Sequence, residues 1–177
     1  MEVKHYLERI GYRGPVDVSA RTLASLQRAH LHTVPFENLD VCLGREIVLE
    51  PAALYDKIVV RRRGGFCYEL NGLFAWLLTE LGFEVTLLSA RVFGERGLGP
   101  EFDHLTLRVD LSEPWLVDVG FGDGFDETLQ IDRIMHTPFG VSKTAADLYT
   151  QEYALLYGLK AASFRMGCIT GGTAKAV

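Results

Sequence analysis

Residues 61–71 read Arg-Arg-Arg-Gly-Gly-Phe-Cys-Tyr-Glu-Leu-Asn, and the interpretation of the whole chain starts from them. The two adjacent glycines permit a sharp backbone turn before the cysteine. After it, apolar residues recur at helical spacing until Gly82 stops the pattern. These residues are Leu70, Leu73, Phe74, Leu77, Leu78 and Leu81. The spacing predicts a helix whose first turn contains Cys67.

Cys67 is a candidate nucleophile because of where this helix begins. A helix N-terminus and three preceding arginines both favour a thiolate, and cysteines in such settings have pKa values of roughly 3.5–7.5 instead of about 8.5. The alternative is that Cys67 is a small buried hydrophobic residue. A nucleophile needs a base and an orienting group from elsewhere in the chain.

The composition is that of an ordinary soluble globular protein. The 177 residues are 48% hydrophobic and 23% charged, enough for one core or for two small subdomains that share one. A net charge of −5 gives no reason to expect a nucleic-acid partner. The amino end lacks a signal peptide and no apolar run is long enough for a bilayer, so we expect a cytoplasmic protein without membrane contact. Cys42, Cys67 and Cys168 form no CxxC pair, which predicts neither a disulfide framework nor a metal site.

The order of hydrophobic patterns indicates helices first and strands afterwards. The first predicted helix ends at Gly11, the second runs from an N-cap at Ser19 to Leu31, and the third begins at Pro51. Residues 84–92 predict a strand, and residues 94–100 a loop. A further helix is compatible with residues 144–164.

Residues 103–119 predict a β-hairpin that brings two polar residues together. If its turn is centred at residue 112, Thr106 faces Asp118, and His104 is the diagonal neighbour of Asp118 at roughly 7–8 Å. Asp118 would then orient His104, and His104 would take the proton of Cys67, as in a Cys-His-Asp triad. A centre shifted by half a residue separates His104 from Asp118. In that alternative His104 is a surface residue and Asp118 caps the following glycine turn.

Three motifs resemble those of the arylamine N-acetyltransferases. Residues 63–71 are similar to the catalytic-cysteine motif of that family, residues 34–40 to its N-terminal motif, and residues 116–122 to its aspartate motif. The order and spacing of the cysteine, histidine and aspartate also match. The resemblance covers residues 1 to about 125.

This resemblance implies an α+β fold with a helical bundle subdomain at residues 1–82 and a small antiparallel β-barrel subdomain at residues 83–125. It implies a papain-type triad in which Cys67 carries the acetyl group, His104 is the base and Asp118 orients it. The acetyl group would pass from acetyl-CoA to Cys67 and then to an arylamine, arylhydrazine or N-hydroxyarylamine, without a metal.

The resemblance also implies binding residues around the triad. Phe121, Asp103 and Phe125 would contact the aromatic substrate. The residues that would border coenzyme A are Pro100, Glu101, Gly122 and Gly124. Arg9, Glu37 and Arg63 match charged positions that brace the fold. Apart from the resemblance, four acidic residues are interpreted as structural, namely Glu37, Asp40, Glu69 and Asp123.

Residues 126–177 do not resemble the usual continuation of the family, which is an α/β lid that helps to bind coenzyme A. We therefore expect a reactive thiol together with weak donor binding. Two other functions stay open at this point. One is a hydrolase or transglutaminase-like acyl transferase that uses the same triad. The other is a non-catalytic relative that binds aromatic ligands or a full-length partner.

Overall fold

A computed structural model of the chain describes residues 1–94, 97–122 and 128–131. The chain divides into two units, residues 1–130 and 131–177, and the elements below belong to the first. The predictions for Asp123, Gly124, Phe125 and a helix at residues 144–164 lie outside the described residues. In the ranges that are described, no helix is both long enough and apolar enough to cross a membrane.

Five α-helices precede the sheet along the chain. They are α1 (Val3–Arg9), α2 (Ala20–Leu31), α3 (Leu39–Cys42), α4 (Pro51–Tyr55) and α5 (Cys67–Glu80), with a π-helical turn (Asp56–Val60) directly after α4. The predicted caps are confirmed: the Ser19 hydroxyl accepts the Thr22 N–H at 3.2 Å, and Gly11 and Gly82 end their helices with φ of +68° and +92°. Helix α3 was not predicted, because it is shorter than a readable hydrophobic period. The π-helical turn lies inside the helix predicted from Pro51, whose apolar residues include Ile58 and Val59.

Helix α5 lies at the centre of the core. Five of its apolar side chains are fully buried, namely Leu70, Leu73, Phe74, Leu77 and Leu78. They belong to one cluster with Tyr6 of α1, Leu23 and Leu26 of α2, Leu54 of α4, and Leu107 and Val117 of the strands. Burial of one such side chain contributes about 1.5–3 kcal/mol, so the apolar period fixes which side of α5 faces inward.

The strands form an antiparallel sheet and a short hairpin. They are β1 (Glu84–Ala90), β2 (Phe93–Gly94), β3 (Gly97–Leu98), β4 (His104–Asp110), β5 (Pro114–Val117) and β6 (Leu129–Gln130). The order in the four-stranded sheet is β1-β4-β5-β6, and β2 pairs with β3 inside the predicted loop. Strand β6 lies past residue 125, where the sheet region was expected to end.

The register between β4 and β5 is the one that the sequence predicted. Leu107 pairs with Val117 and Asp110 with Pro114, so the turn is centred at residue 112. The side chains of Leu107 and Val109 are fully buried, whereas Arg108 between them is exposed. The α+β class is therefore confirmed. The division at residue 82 into two subdomains stays a prediction.

Candidate active site

The segment before Cys67 is held close to a neighbouring loop. The Glu37 N–H donates to the Gly65 carbonyl at 2.9 Å, and a Cβ added to Gly64 would clash with the Pro35 carbonyl. The two glycines are therefore needed for close approach rather than for the turn that we had assigned to them. The turn lies two residues before the first glycine, at Arg62, whose φ of 54° is in the left-handed region.

The N-terminus of α5 is capped by its own first turn. A Glu69 carboxylate oxygen accepts the N–H of Phe66 at 3.1 Å, and Phe66 is extended with ψ of 179°. This bond satisfies a donor that the helix leaves unpaired. Cys67 is consequently the first residue of a well-defined helix, and its side chain is buried.

The sheet brings the two predicted partners together. His104 begins β4, Asp118 follows β5, and His104 Nε2 lies 2.5 Å from Asp118 Oδ2. Both side chains are buried. Because Nε2 is occupied by Asp118, Nδ1 is the ring nitrogen that remains for Cys67. A nucleophile, a base and an orienting carboxylate would require this geometry.

The electrostatics of this site favour an ion pair between Cys67 and His104. Burial acts to lower the pKa of His104, but hydrogen bonds with Asp118 and Cys67 outweigh it and raise that pKa to about 9. Burial acts to raise the pKa of the Cys67 thiol, but hydrogen bonds with the His104 side chain and the Leu105 backbone outweigh it and lower that pKa. Both shifts stabilise a thiolate beside an imidazolium.

The arginines at residues 61–63 are not what lowers the pKa of Cys67, contrary to the sequence-based expectation. Arg61 forms an ion pair with Asp56 at 2.8 Å. Arg63 pairs with Glu37 at 2.8 Å and with Asp40 at 3.0 Å. Among the described residues, it is the histidine and backbone N–H groups that lower the pKa of Cys67.

A buried charge cluster joins α5 to the π-helical turn and to α3. The Lys57 Nζ lies 2.7 Å from a Glu69 carboxylate oxygen and 2.8 Å from Asp40 Oδ2, with only 5% of Lys57 exposed. Hydrogen bonds from Lys57 and Arg63 hold the pKa of Asp40 well below its usual range. These contacts give Glu37, Asp40 and Glu69 a structural role.

Arg9 supports the same region from α1. Its guanidinium donates to the carbonyls of Ile58 at 2.9 Å and Thr33 at 3.0 Å. It also donates to the carbonyls of Arg62, the left-handed residue, and of Arg63, the residue after it. Arg9 therefore fixes the turn from which the cysteine segment departs.

Two buried amides that the sequence analysis missed contact Asp118. Asn71 Nδ2 donates to Asp118 Oδ1 at 2.9 Å, and Gln27 Oε1 accepts the Asp118 N–H at 3.2 Å. Asn71 could have been found from the sequence, because it follows Cys67 by four residues and so shares its helical face. Gln27 could not, because it is separated from Asp118 by 91 residues.

The backbone of Gly120, three residues after β5 ends, contacts the backbone of α5 closely. A Cβ added to Gly120 would lie 2.7 Å from Cys67 Cα and 2.8 Å from Asn71 Nδ2. Only glycine allows this approach. Gly120, inside the aspartate motif, therefore sets the distance between Asp118 and the helix that carries Cys67.

Of the predicted binding residues, Phe121 is the one seen to contact the triad. Its ring packs edge-on against His104 with 5.1 Å between centroids, and 48% of the residue is exposed. Pro100, Glu101 and Asp103 lie exposed in the loop before β4, and Gly122 is exposed with φ of +82°. Gly124 and Phe125 lie outside the described residues. The substrate and coenzyme A roles of these residues stay predictions.

Phe102 in the same loop was not singled out from the sequence. Its φ is 62° and 67% of the residue is exposed. The Tyr68 hydroxyl donates to its carbonyl at 2.6 Å, and the Ser89 hydroxyl accepts its N–H at 2.9 Å. The loop before His104 is thus tied to α5 on one side and to β1 on the other. Within the described ranges, no group of three or more His, Cys, Asp or Glu side chains is placed to hold a metal ion.

Comparison with known proteins shows that this chain is similar to one family of enzymes. The family model described as N-acetyltransferase matches residues 19–144, so the likeness extends past residue 125, the limit that the motifs indicated. Arylamine N-acetyltransferase of Escherichia coli K12 is 43% identical over 144 residues, which are 78% of this chain and 51% of that protein. Arylamine N-acetyltransferase / N-hydroxyarylamine O-acetyltransferase of Salmonella typhimurium LT2 is 46% identical over 128 residues, which are 69% of this chain and 45% of that protein.

A solved structure gives the same relation at the level of the fold. The structure of Mycobacterium marinum arylamine N-acetyltransferase in complex with CoA has a TM-score of 0.69 and 40% sequence identity to this chain. The matched region covers 73% of this chain and 51% of that one. The chain spans about half the length of the curated relatives that it matches.

Proposed function

Because this chain belongs to the arylamine N-acetyltransferase family, we propose that it moves an acetyl group from acetyl-CoA through Cys67 to an aromatic nitrogen acceptor. The acceptor is an arylamine, an arylhydrazine or an N-hydroxyarylamine. The observation that carries the proposal is the buried contact of His104 with Asp118 at 2.5 Å, beside a cysteine whose pKa is lowered by the same histidine.

In the first half of the proposed reaction, Cys67 is acetylated. Its thiolate attacks the carbonyl carbon of the thioester, a new carbon–sulfur bond forms to Cys67, and the bond from that carbon to the sulfur of coenzyme A breaks. The imidazolium of His104 gives its proton to the departing thiolate. Asp118 keeps the ring oriented throughout by accepting from Nε2.

In the second half, the acetyl group leaves Cys67. The acceptor nitrogen attacks the acetyl carbonyl carbon, and neutral His104 takes the proton that this nitrogen loses. The carbon–sulfur bond to Cys67 then breaks, which restores the thiolate and the imidazolium. Two half-reactions through one covalent intermediate predict ping-pong kinetics.

The exposed groups around the triad provide the binding surface in this proposal. Phe121 would contact the aromatic acceptor, with Asp103 and Phe125 beside it. Coenzyme A, which the M. marinum relative binds, would lie along Pro100, Glu101, Gly122 and Gly124. The finer architecture that we propose is a papain-type triad between a helical subdomain and a small β-barrel.

Intact-mass measurement tests the proposal directly. After the chain is mixed with acetyl-CoA, we expect one added acetyl group, which peptide mapping should assign to Cys67 and which an arylamine should remove. Cys67→Ala should abolish the addition, whereas Cys42→Ala should not, because Cys42 is exposed and lies outside the triad. p-Nitrophenyl acetate serves as a second donor that does not depend on contacts with coenzyme A. Acetylation at Cys42 or Cys168 instead would contradict the assignment of the nucleophile, and no acetylation by either donor would contradict the proposed chemistry.

A further inference from the structure

We propose that Asn71 is a positioning residue of this triad, which sets the orientation of the Asp118 carboxylate and through it the protonation state of Cys67 and His104. This inference rests on the proposed function, since it assigns a role in that same site. It starts from an asparagine that is fully buried between α5 and the sheet. Its side chain touches neither Cys67 nor His104 in the hydrogen bonds of the described residues, so it acts through Asp118.

Three groups that lie in β4 or directly after β5 bind the Asn71 amide. Nδ2 donates to the Leu105 carbonyl at 2.7 Å and to Asp118 Oδ1 at 2.9 Å, while Oδ1 accepts the Val119 N–H at 2.9 Å. An amide nitrogen has two donors and an amide oxygen only acceptors. A flipped amide would place its oxygen against two other oxygens. The surroundings therefore allow a single orientation of this side chain.

The same amide determines which Asp118 oxygen faces the histidine. Asp118 Oδ1 accepts from Asn71 Nδ2 and from the Gly120 N–H, at 2.9 and 2.8 Å. Oδ2 is the oxygen left for His104 Nε2. Without Asn71, Oδ1 would keep only the bond from the Gly120 N–H, which lies two residues away in the same segment, so no group of α5 would fix the carboxylate.

The position of Asn71 on α5 explains why a helix residue has this role. Cys67 and Asn71 are four residues apart, so they lie one turn apart on the same face of one rigid helix. Asn71 reaches Leu105 next to His104 and Val119 next to Asp118. It therefore holds the base and the orienting residue at a fixed place relative to the helix that carries the nucleophile.

The test is the pH profile of Cys67 alkylation in the full chain. Iodoacetamide is added at a series of pH values, and the labelling rate at Cys67 is followed by peptide mass spectrometry. We expect Asn71→Leu, which keeps the volume and removes the hydrogen bonds, to move the midpoint of this profile to higher pH. In acetyl transfer it should lower kcat on the order of 100-fold with little change in KM, which is the effect of misplacing a catalytic group by about 1 Å.

Thr106→Val is the matched control. Thr106 is also buried, and its hydroxyl also joins β4 to β5 by donating to the Val117 carbonyl at 3.0 Å, yet it makes no bond to the carboxylate of Asp118. Thr106→Val should lower stability and leave the alkylation midpoint unchanged. A purely structural role of Asn71 predicts the same pattern for Asn71→Leu, so equal midpoints in Asn71→Leu and the wild type would overturn the proposal.

A second variant covers the case in which Asn71→Leu does not fold. Asn71→Ser removes both donors and leaves space for water, and the same upward movement of the midpoint is expected. If neither variant folds, Asn71 is a residue of the fold and the proposal is wrong. Because alkylation uses neither acetyl-CoA nor an amine, a failure of acetyl transfer in the wild type would contradict the proposed function without affecting this result.

Discussion

His30 gives the protein a specific sensitivity to acid, and this can be measured. The residue lies on α2, is fully buried, and packs edge-on against Phe74 with 5.4 Å between ring centroids. Neither ring nitrogen has a hydrogen-bond partner among the described residues. Burial, followed by the nearby charge of Arg9, lowers the pKa of His30 to about 3. The folded protein therefore keeps this histidine neutral where the unfolded chain protonates it.

The magnitude follows from the difference between the two pKa values. The ordinary pKa of 6.5 applies to the unfolded chain and a value of about 3 to the folded state. Between these values the unfolded state binds one more proton, so stability falls as the pH falls, by about 1.4 kcal/mol for each pH unit. At pH 4.5, two units below 6.5, the loss is about 2.7 kcal/mol. A typical domain has only about 5–15 kcal/mol of stability.

The assay is urea unfolding at pH 7.5 and pH 4.5. We compare the wild type with His30→Leu, which has a similar volume and no titratable group. The wild type should lose about 2.7 kcal/mol more between the two pH values than His30→Leu does. His32→Leu, at the exposed C-cap of the same helix, is the matched control and should lose as much as the wild type. If the wild type and His30→Leu lose the same free energy, the reasoning from burial is refuted.

Two further predictions concern the triad and the charge cluster. Asp118→Asn should lower the rate of Cys67 acetylation by about 10⁴-fold, which is the cost of losing an orienting carboxylate in a serine triad. Asp110→Asn should have little effect, because Asp110 pairs with the exposed Arg108. Equal effects of the two changes in stopped-flow acylation would refute the role of Asp118. Lys57→Met should lower the free energy of unfolding in urea by about 3–5 kcal/mol, because it leaves buried carboxylates without their cation. Arg108→Met should lower it by at most about 1 kcal/mol. A small loss for Lys57→Met would mean that the charge cluster does not stabilise the site.

The parts of the fold that the sequence predicted are those with a local signal. The apolar period from Leu70 to Leu78 identifies α5 because one face of a helix must be buried. The alternation along β4 and the position of its turn determine the register, and a register centred at residue 112 is sufficient to bring His104 to Asp118. These predictions needed no information about distant parts of the chain.

The parts that were missed or wrong depend on contacts between distant residues. Arg63 is four residues from Cys67 in the sequence, but it forms ion pairs with Glu37, which precedes α3, and with Asp40, which lies in α3. Gln27 of α2 accepts the Asp118 N–H although 91 residues separate the two in the sequence. Hydrophobic periodicity indicates which face of an element is buried, but not which polar group of another element will be found there.

Three residues near the start of α5, namely Cys67, Glu69 and Asn71, explain the composition of the cysteine motif. Cys67 and Asn71 share the face toward the sheet, and Asn71 binds Leu105, Asp118 and Val119 there. Glu69 binds Lys57 and the Phe66 N–H, so it ties the start of the helix to the π-helical turn.

The sheet is thus fixed to the helix at Asn71, and the charge cluster is fixed to it at Glu69. A shift of α5 along its axis would break both sets of contacts at once, although they involve different parts of the chain. Both anchors follow Cys67 closely on α5, Glu69 by two residues and Asn71 by four, so all three lie within about one helical turn. The position of Cys67 relative to His104 therefore depends on the contacts that Asn71 and Glu69 make in this first turn of α5.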